Sequence, residues 1–129
     1  MDWGWGCVVG NDDDVSRLLP LKPVLFWILL VLVDGASHGY GILKEIEGRT
    51  DGAIRLEPGN LYRFLRRLLD DGLIQELDEA PEEDADTRRR YYDLTERGRA
   101  TVRAEAERMR DLVQAAQSRD LIEGSGAGA

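Results

Sequence analysis

The sequence predicts a mainly α fold with one small β-hairpin, and three observations carry that prediction. Apolar residues recur at three- and four-residue spacings in separate blocks, as they do on helices with one buried stripe. Proline and glycine punctuate those blocks where helices start and stop: Pro23 and Pro58 at the openings, Gly35 and Gly72 past the ends. Two short stretches with two-residue alternation flank a polar turn, which is the pattern of a hairpin.

Composition bounds what such a fold can do. The chain has 129 residues, 17 Lys+Arg and 25 Asp+Glu, for a formal charge of −8. At 43% hydrophobic and 33% charged residues it suits one compact domain with much exposed helix surface. A single cysteine, Cys7, excludes an internal disulfide framework and a multi-cysteine zinc site. A single histidine, His38, excludes two-histidine metal chemistry of the HExxH kind. No serine carries a nucleophile motif, so an enzyme is not expected, and neither is a cofactor. The longest apolar run, residues 24–33, is about half the length of a membrane span, and a cytoplasmic protein without a membrane partner is the expectation.

Residues 1–19 are rich in Trp and Gly and then acidic, with no steady period, and are expected to be a flexible leader in which Trp3, Trp5 and Cys7 have no assigned role. Pro20 and Pro23 open a first helix whose core, VLFWILLVLV, is apolar on nearly every face and is expected to be buried on several sides. Trp27 belongs to that core, or lines a pocket in which a planar ligand stacks. Ser37 is expected to cap a second, amphipathic helix over residues 38–47, and His38 to make a local turn or capping bond rather than to act as a pH sensor. Residues 53–56 are expected to be extended. Pro58-Gly59 starts a third helix with Leu61, Phe64, Leu65, Leu68 and Leu69 as its inner stripe, closed by Gly72. Residues 73–77 and 88–94 are expected to pair across the turn 78–87, with Tyr92 and Leu94 on one face and Tyr91 and Asp93 on the other. Thr95 caps a last long helix over residues 96–122, and residues 123–129 form a flexible tail. Val102, Ala106, Met109, Val113 and Ala116 follow a 4-3-4-3 spacing, a narrow seam that packs helix on helix. Three helices followed by a hairpin, over residues 20–95, describe a winged helix-turn-helix. The last helix is an addition to it.

The third helix carries the functional signal. Asn60, Arg63, Arg67 and Asp70 share one face, flanked by Tyr62 and Arg66, with the leucines behind. Arg binds guanine and Asn binds adenine through two hydrogen bonds each in the major groove. A solvated charged face has the same composition, so this pattern alone leaves both readings open. Arg88, Arg89 and Arg90 add a second basic site on the hairpin, able to approach phosphates or to neutralise the six acids of the neighbouring turn. The net charge of −8 is unusual for a DNA-binding domain. However, residues 58–69 hold three arginines and no acid, which leaves a local positive face.

Three strings, HGYGI at 38–42, PGNLYRFLRRLLDDGLI at 58–74 and RRRYYDLTERGR at 88–99, together resemble the PadR family of transcriptional regulators, over about residues 24–113. The resemblance implies a homodimer of winged-helix domains joined through the C-terminal helix, helped by the first helix. It implies binding to a pseudo-palindromic operator on double-stranded DNA, usually as a repressor. It implies that residues 58–69 are the recognition helix, that Tyr62 lies near DNA, and that the arginine-rich strand belongs to the wing. Some relatives release DNA on binding small hydrophobic or aromatic effectors. The last helix here has no aromatic residue, so the effector site stays unassigned except for Trp27. The wing turn is more acidic than the family pattern, and the leader has no counterpart. A winged-helix adapter that binds a basic protein surface and no DNA is the alternative expectation.

Overall fold

In the computed structural model, residues 13–78 and 90–123 are described. The elements run α1 (Asp13–Ser16), α2 (Pro23–Val33), β1 (Ser37–His38), α3 (Gly39–Arg49), α4 (Pro58–Asp70), β2 (Ile74–Glu76), β3 (Tyr91–Leu94) and α5 (Glu96–Gln117). The fold class is the one expected, a mainly α winged helix-turn-helix with a small antiparallel sheet and a long last helix.

Proline sits in the first turn of both α2 and α4, where its missing N–H has no partner to lose. Leu61, Leu65 and Leu68 of α4 are buried with Ile42 and Ile46 of α3 and Leu25, Ile28, Leu29 and Leu32 of α2. Leu73, Ile74, Tyr92, Leu94 and Val102 close the same core. The three-helix cluster therefore grips α4 from its leucine side and leaves its other side to solvent.

The sheet has three strands in the order β1-β3-β2, all antiparallel, one more than the expected hairpin. The third is β1, with Ser37 opposite Tyr92 and His38 opposite Tyr91. The piece at residues 53–56, expected to be extended, joins no strand. Instead Asp51 and Gly52 adopt positive φ, and the Thr50 hydroxyl donates to Ile46 O and accepts from the Ile54 N–H, which makes a local turn. β1 also explains why Tyr91, expected on the face opposite Tyr92, is buried as well: the His38 ring stands edge-on to it, with centroids 5.2 Å apart.

His38, not Ser37, caps α3. Its Nδ1 accepts the Gly41 N–H at 3.0 Å, so the expected capping bond of His38 is present and the expected role of Ser37 is not. Thr95 caps α5 as expected, accepting the Gly98 N–H at 3.0 Å, while its hydroxyl donates to Gly72 O at 2.7 Å. Gly72 has φ +76, a left-handed turn that joins α4 to β2. At Gly98 the helix lies against Leu73, the residue before β2, so closely that a Cβ would fall inside the contact radius of Leu73 O.

One further expectation is corrected by packing. Residues 13–19 are not a free leader: Val15 is buried, Leu18 and Leu19 pack against the core, and α1 lies on α5. Trp3, Trp5 and Cys7, like residues 124–129, lie outside the described residues. In α2, expected to be buried on several sides, one stripe is enclosed, Phe26, Trp27, Leu30 and Val31 are half-buried against the core, and Val33 is exposed. Among the described residues, no helix is long and apolar enough to cross a membrane.

Candidate nucleic-acid interface

The solvent side of α4 is set by arithmetic on the helix. With Leu61, Leu65 and Leu68 buried, a turn of about 100° per residue puts Arg63 opposite them, with Arg66 and Arg67 to either side. Asn60, Tyr62, Arg63, Arg66 and Arg67 are all exposed. The five residues expected on the recognition face are thus presented together.

Their electrostatic states differ. Arg66 Nε lies 3.9 Å from Asp70 and Arg67 Nε 3.8 Å from Asp71, both one helical turn on. Arg63 forms no ion pair among the described residues. Exposed pairs of this kind contribute about 0.3–0.5 kcal/mol each, so an incoming phosphate or guanine displaces them at small cost. The face is positive at its centre and partly neutralised toward its C-terminal end.

Arg90 sits at the base of the wing, 3.8 Å from Glu76 on the neighbouring strand. Arg88 and Arg89 lie outside the described residues. Tyr92 ties the two regions together. Burial first, then the charges of Glu76 and Tyr62, push its hydroxyl pKa above the ordinary tyrosine value, while Arg90 pulls it down. Tyr62 of the recognition face and Arg90 of the wing therefore both stand within electrostatic range of one buried ring.

The structure adds residues that the sequence reading left out. Tyr40 of α3 is 61% exposed and Tyr62 58%. The Lys44 ammonium lies 5.7 Å from the Tyr40 ring centroid. In the sequence Tyr40 passes as part of the amphipathic stripe of its helix. The signal against that is its place two residues before Ile42, which puts it off the buried face.

The seam on α5 divides in two. Val102 is buried in the domain's own core, as are Gly98, Thr101 and Glu105 of the same helix, so it is covered within its own chain. Ala106 is exposed, Met109 and Ala116 are half-exposed, and Val113 (44%) and Leu112 (42%) are exposed. The outer half of α5 carries apolar side chains with no cover. Trp27 rests half-buried against the core on α2, the other helix with a partly open apolar face.

Comparison with known proteins agrees with this architecture. Residues 28–104 match the transcriptional regulator PadR-like family. A transcriptional regulator from Clostridium thermocellum superposes with a TM-score of 0.61 at 25% identity, over 85% of this chain and 97% of that one. A PadR family transcription regulator from Clostridium difficile superposes at 0.63 and 24%, over 78% and 100%. Bacillus subtilis PadR, solved in complex with operator DNA, superposes at 0.54 and 20%, over 64% and 46%, a likeness of fold. No curated protein matches the sequence. With more than half its length matched, and the helix-turn-helix and wing in their places, the chain belongs to the PadR-like family of transcriptional regulators.

Proposed function

We propose that the protein is a dimeric, sequence-specific DNA-binding repressor. One observation carries the reading: a leucine-anchored helix that turns Arg63, flanked by Arg66, Arg67, Asn60 and Tyr62, to solvent. In a helix-turn-helix the N-terminal part of such a helix reaches base edges. Arg63, Arg67 and Asn60 contact bases or phosphates in the major groove, and Tyr62 and Arg66 support them. Arg88, Arg89 and Arg90 hold the wing base on the backbone, away from the acidic turn, which the duplex repels. Tyr40 and Lys44 extend the contact to phosphates beside α3.

The uncovered half of α5, with Ala106, Met109, Leu112, Val113 and Ala116, pairs with a second copy and sets two recognition helices about 34 Å apart, one duplex turn. The open face of α2 joins that interface, and a small hydrophobic or aromatic effector that stacks on Trp27 releases the DNA. The protein works in the cytoplasm.

The test is a salt titration on duplexes selected from the source genome, with wild type and the Arg63→Ala/Arg67→Ala pair. Specific binding that weakens steeply with salt, and that the double variant loses, is the expected result. Binding unchanged in the double variant rejects the assignment to α4. The adapter reading is favoured by the carboxylates that already pair Arg66 and Arg67. It predicts no binding to any duplex even at about 50 mM salt, where electrostatic attraction is strong.

A further inference from the structure

We propose that Glu105 is a positioning residue: by clasping the N-terminal segment it fixes the direction in which α5 leaves the winged-helix domain, and with it the half-site spacing that the protein reads. The proposal rests on the reading that α5 joins two copies on DNA.

Glu105 is the one carboxylate among the described residues with no exposed surface. Its Oε2 accepts the Leu21 backbone N–H at 2.9 Å and Arg108 Nη2 at 3.0 Å, and its Oε1 accepts Arg108 Nε at 2.6 Å. That bond raises the Arg108 pKa above its ordinary value. An ion pair in such a place is weak evidence of stability, because an apolar side chain of the same size fills the space without desolvating a charge. What it adds is direction. A carboxylate aimed at one backbone amide holds the segment in one register, where an apolar contact allows it to slide.

The segment it holds is a strap. α1, Leu18, Leu19 and Leu21 lie across the core and α5, with Val15 and Leu21 buried. Glu105 is also the last fully buried residue of α5, and beyond it the helix leaves the domain. The clasp therefore stands at the pivot of a lever. From residue 105 to 116 the helix rises about 16 Å, so a tilt of about 10° moves its outer end by about 3 Å. That is close to the rise of one base pair, about 3.4 Å. Both halves of the clasp fall just outside the residues that match the family, Leu21 before residue 28 and Glu105 with Arg108 after residue 104.

The experiment compares the wild type, Glu105→Ala, a deletion of residues 1–19 and the two combined, with Glu105→Gln as the variant that keeps a neutral acceptor should Glu105→Ala not fold. Two readouts are taken: hydrogen exchange at the Leu21 amide, and affinity for selected operator duplexes whose half-sites are moved apart by one base pair. The wild type is expected to lose about tenfold in affinity on the lengthened duplex, the size of a single-site defect. Glu105→Ala, the deletion and the combination are each expected to reduce that loss to less than about twofold, without adding to one another. The Leu21 amide is expected to exchange freely in Glu105→Ala. Retained spacing preference with a freely exchanging amide would show a clasp that positions nothing, and a protected amide would show no clasp. If the wild type binds DNA as a monomer, the dimer reading fails, while the exchange experiment still decides the clasp.

Discussion

Replacing Gly98 by Ala pits helix propensity against packing, and the structure decides the sign. In a helix interior Ala is better than Gly by about 1 kcal/mol, and less in the first turn. At Gly98 the added methyl would overlap Leu73 O and crowd a Leu94 methyl at 3.1 Å. The start of α5 has to move away from β2. Three bonds hold that junction: the Thr95 N–H to Leu73 O at 3.1 Å, the Gly98 N–H to Thr95 Oγ1 at 3.0 Å, and the Thr95 hydroxyl to Gly72 O at 2.7 Å. Each is worth about 1 kcal/mol net, and loss of two with some strain outweighs the propensity gain. We expect a net destabilisation of about 2–3 kcal/mol, which lowers the melting temperature by about 7–14 °C in a domain of this size. The assay is thermal denaturation by circular dichroism at one fixed protein concentration, since association shifts the midpoint. Gly48→Ala is the control. It lies in α3 with nothing within 4 Å of a Cβ, so the same substitution there should stabilise by about 0.5–1 kcal/mol. A Gly98→Ala protein that melts at or above the wild-type temperature would refute the close approach of α5 to the wing.

Other outcomes follow from the same geometry. Arg63→Ala should weaken operator binding by about 1–3 kcal/mol if the guanidinium reads a base, and flatten the salt dependence by about one unit if it meets a phosphate. A titration against salt tells these apart, and neither change would remove Arg63 from the interface. Val113→Glu should dissociate the proposed dimer at micromolar concentration in sedimentation, with the melting of the domain itself little changed because Val113 is exposed. A dimer that persists would place the seam elsewhere. Tyr92 titrates above its ordinary value in the fold, mainly through burial, so the folded state holds the proton more tightly than the unfolded chain. Its contribution to stability is complete below about pH 10 and is lost as pH rises through the raised folded value. Denaturation midpoints taken from pH 9 upward should fall less steeply in Tyr92→Phe than in wild type, and parallel slopes would contradict the shift.

Much of the fold was legible because helices announce themselves locally. The stripe of Leu61, Leu65 and Leu68, the first-turn prolines at 23 and 58, and the Thr95 cap all act within a few residues of one another. The exposed arginines of α4 followed from that stripe without further information. β1 was not legible: two residues have no period, and Ser37 and His38 form a strand only because β3, some fifty residues later, presents its free edge. The cap at His38 was legible as a bond but not as a choice over Ser37, which depends on which side chain reaches the Gly41 amide.

By its own residues the chain determined where its helices begin and end, which side of α4 meets water, and the family to which it belongs. All of these depend on contacts between near neighbours, whose spacing the covalent chain fixes. Only the tertiary structure decided that Val102 serves its own core while Val113 is left open, and that residues 13–21 lie against α5 with the Leu21 amide on Glu105. A seam reads the same along its length in sequence. Which part of it is covered depends on the point at which the helix outruns the domain beneath it, and that point is set by packing between segments 84 positions apart.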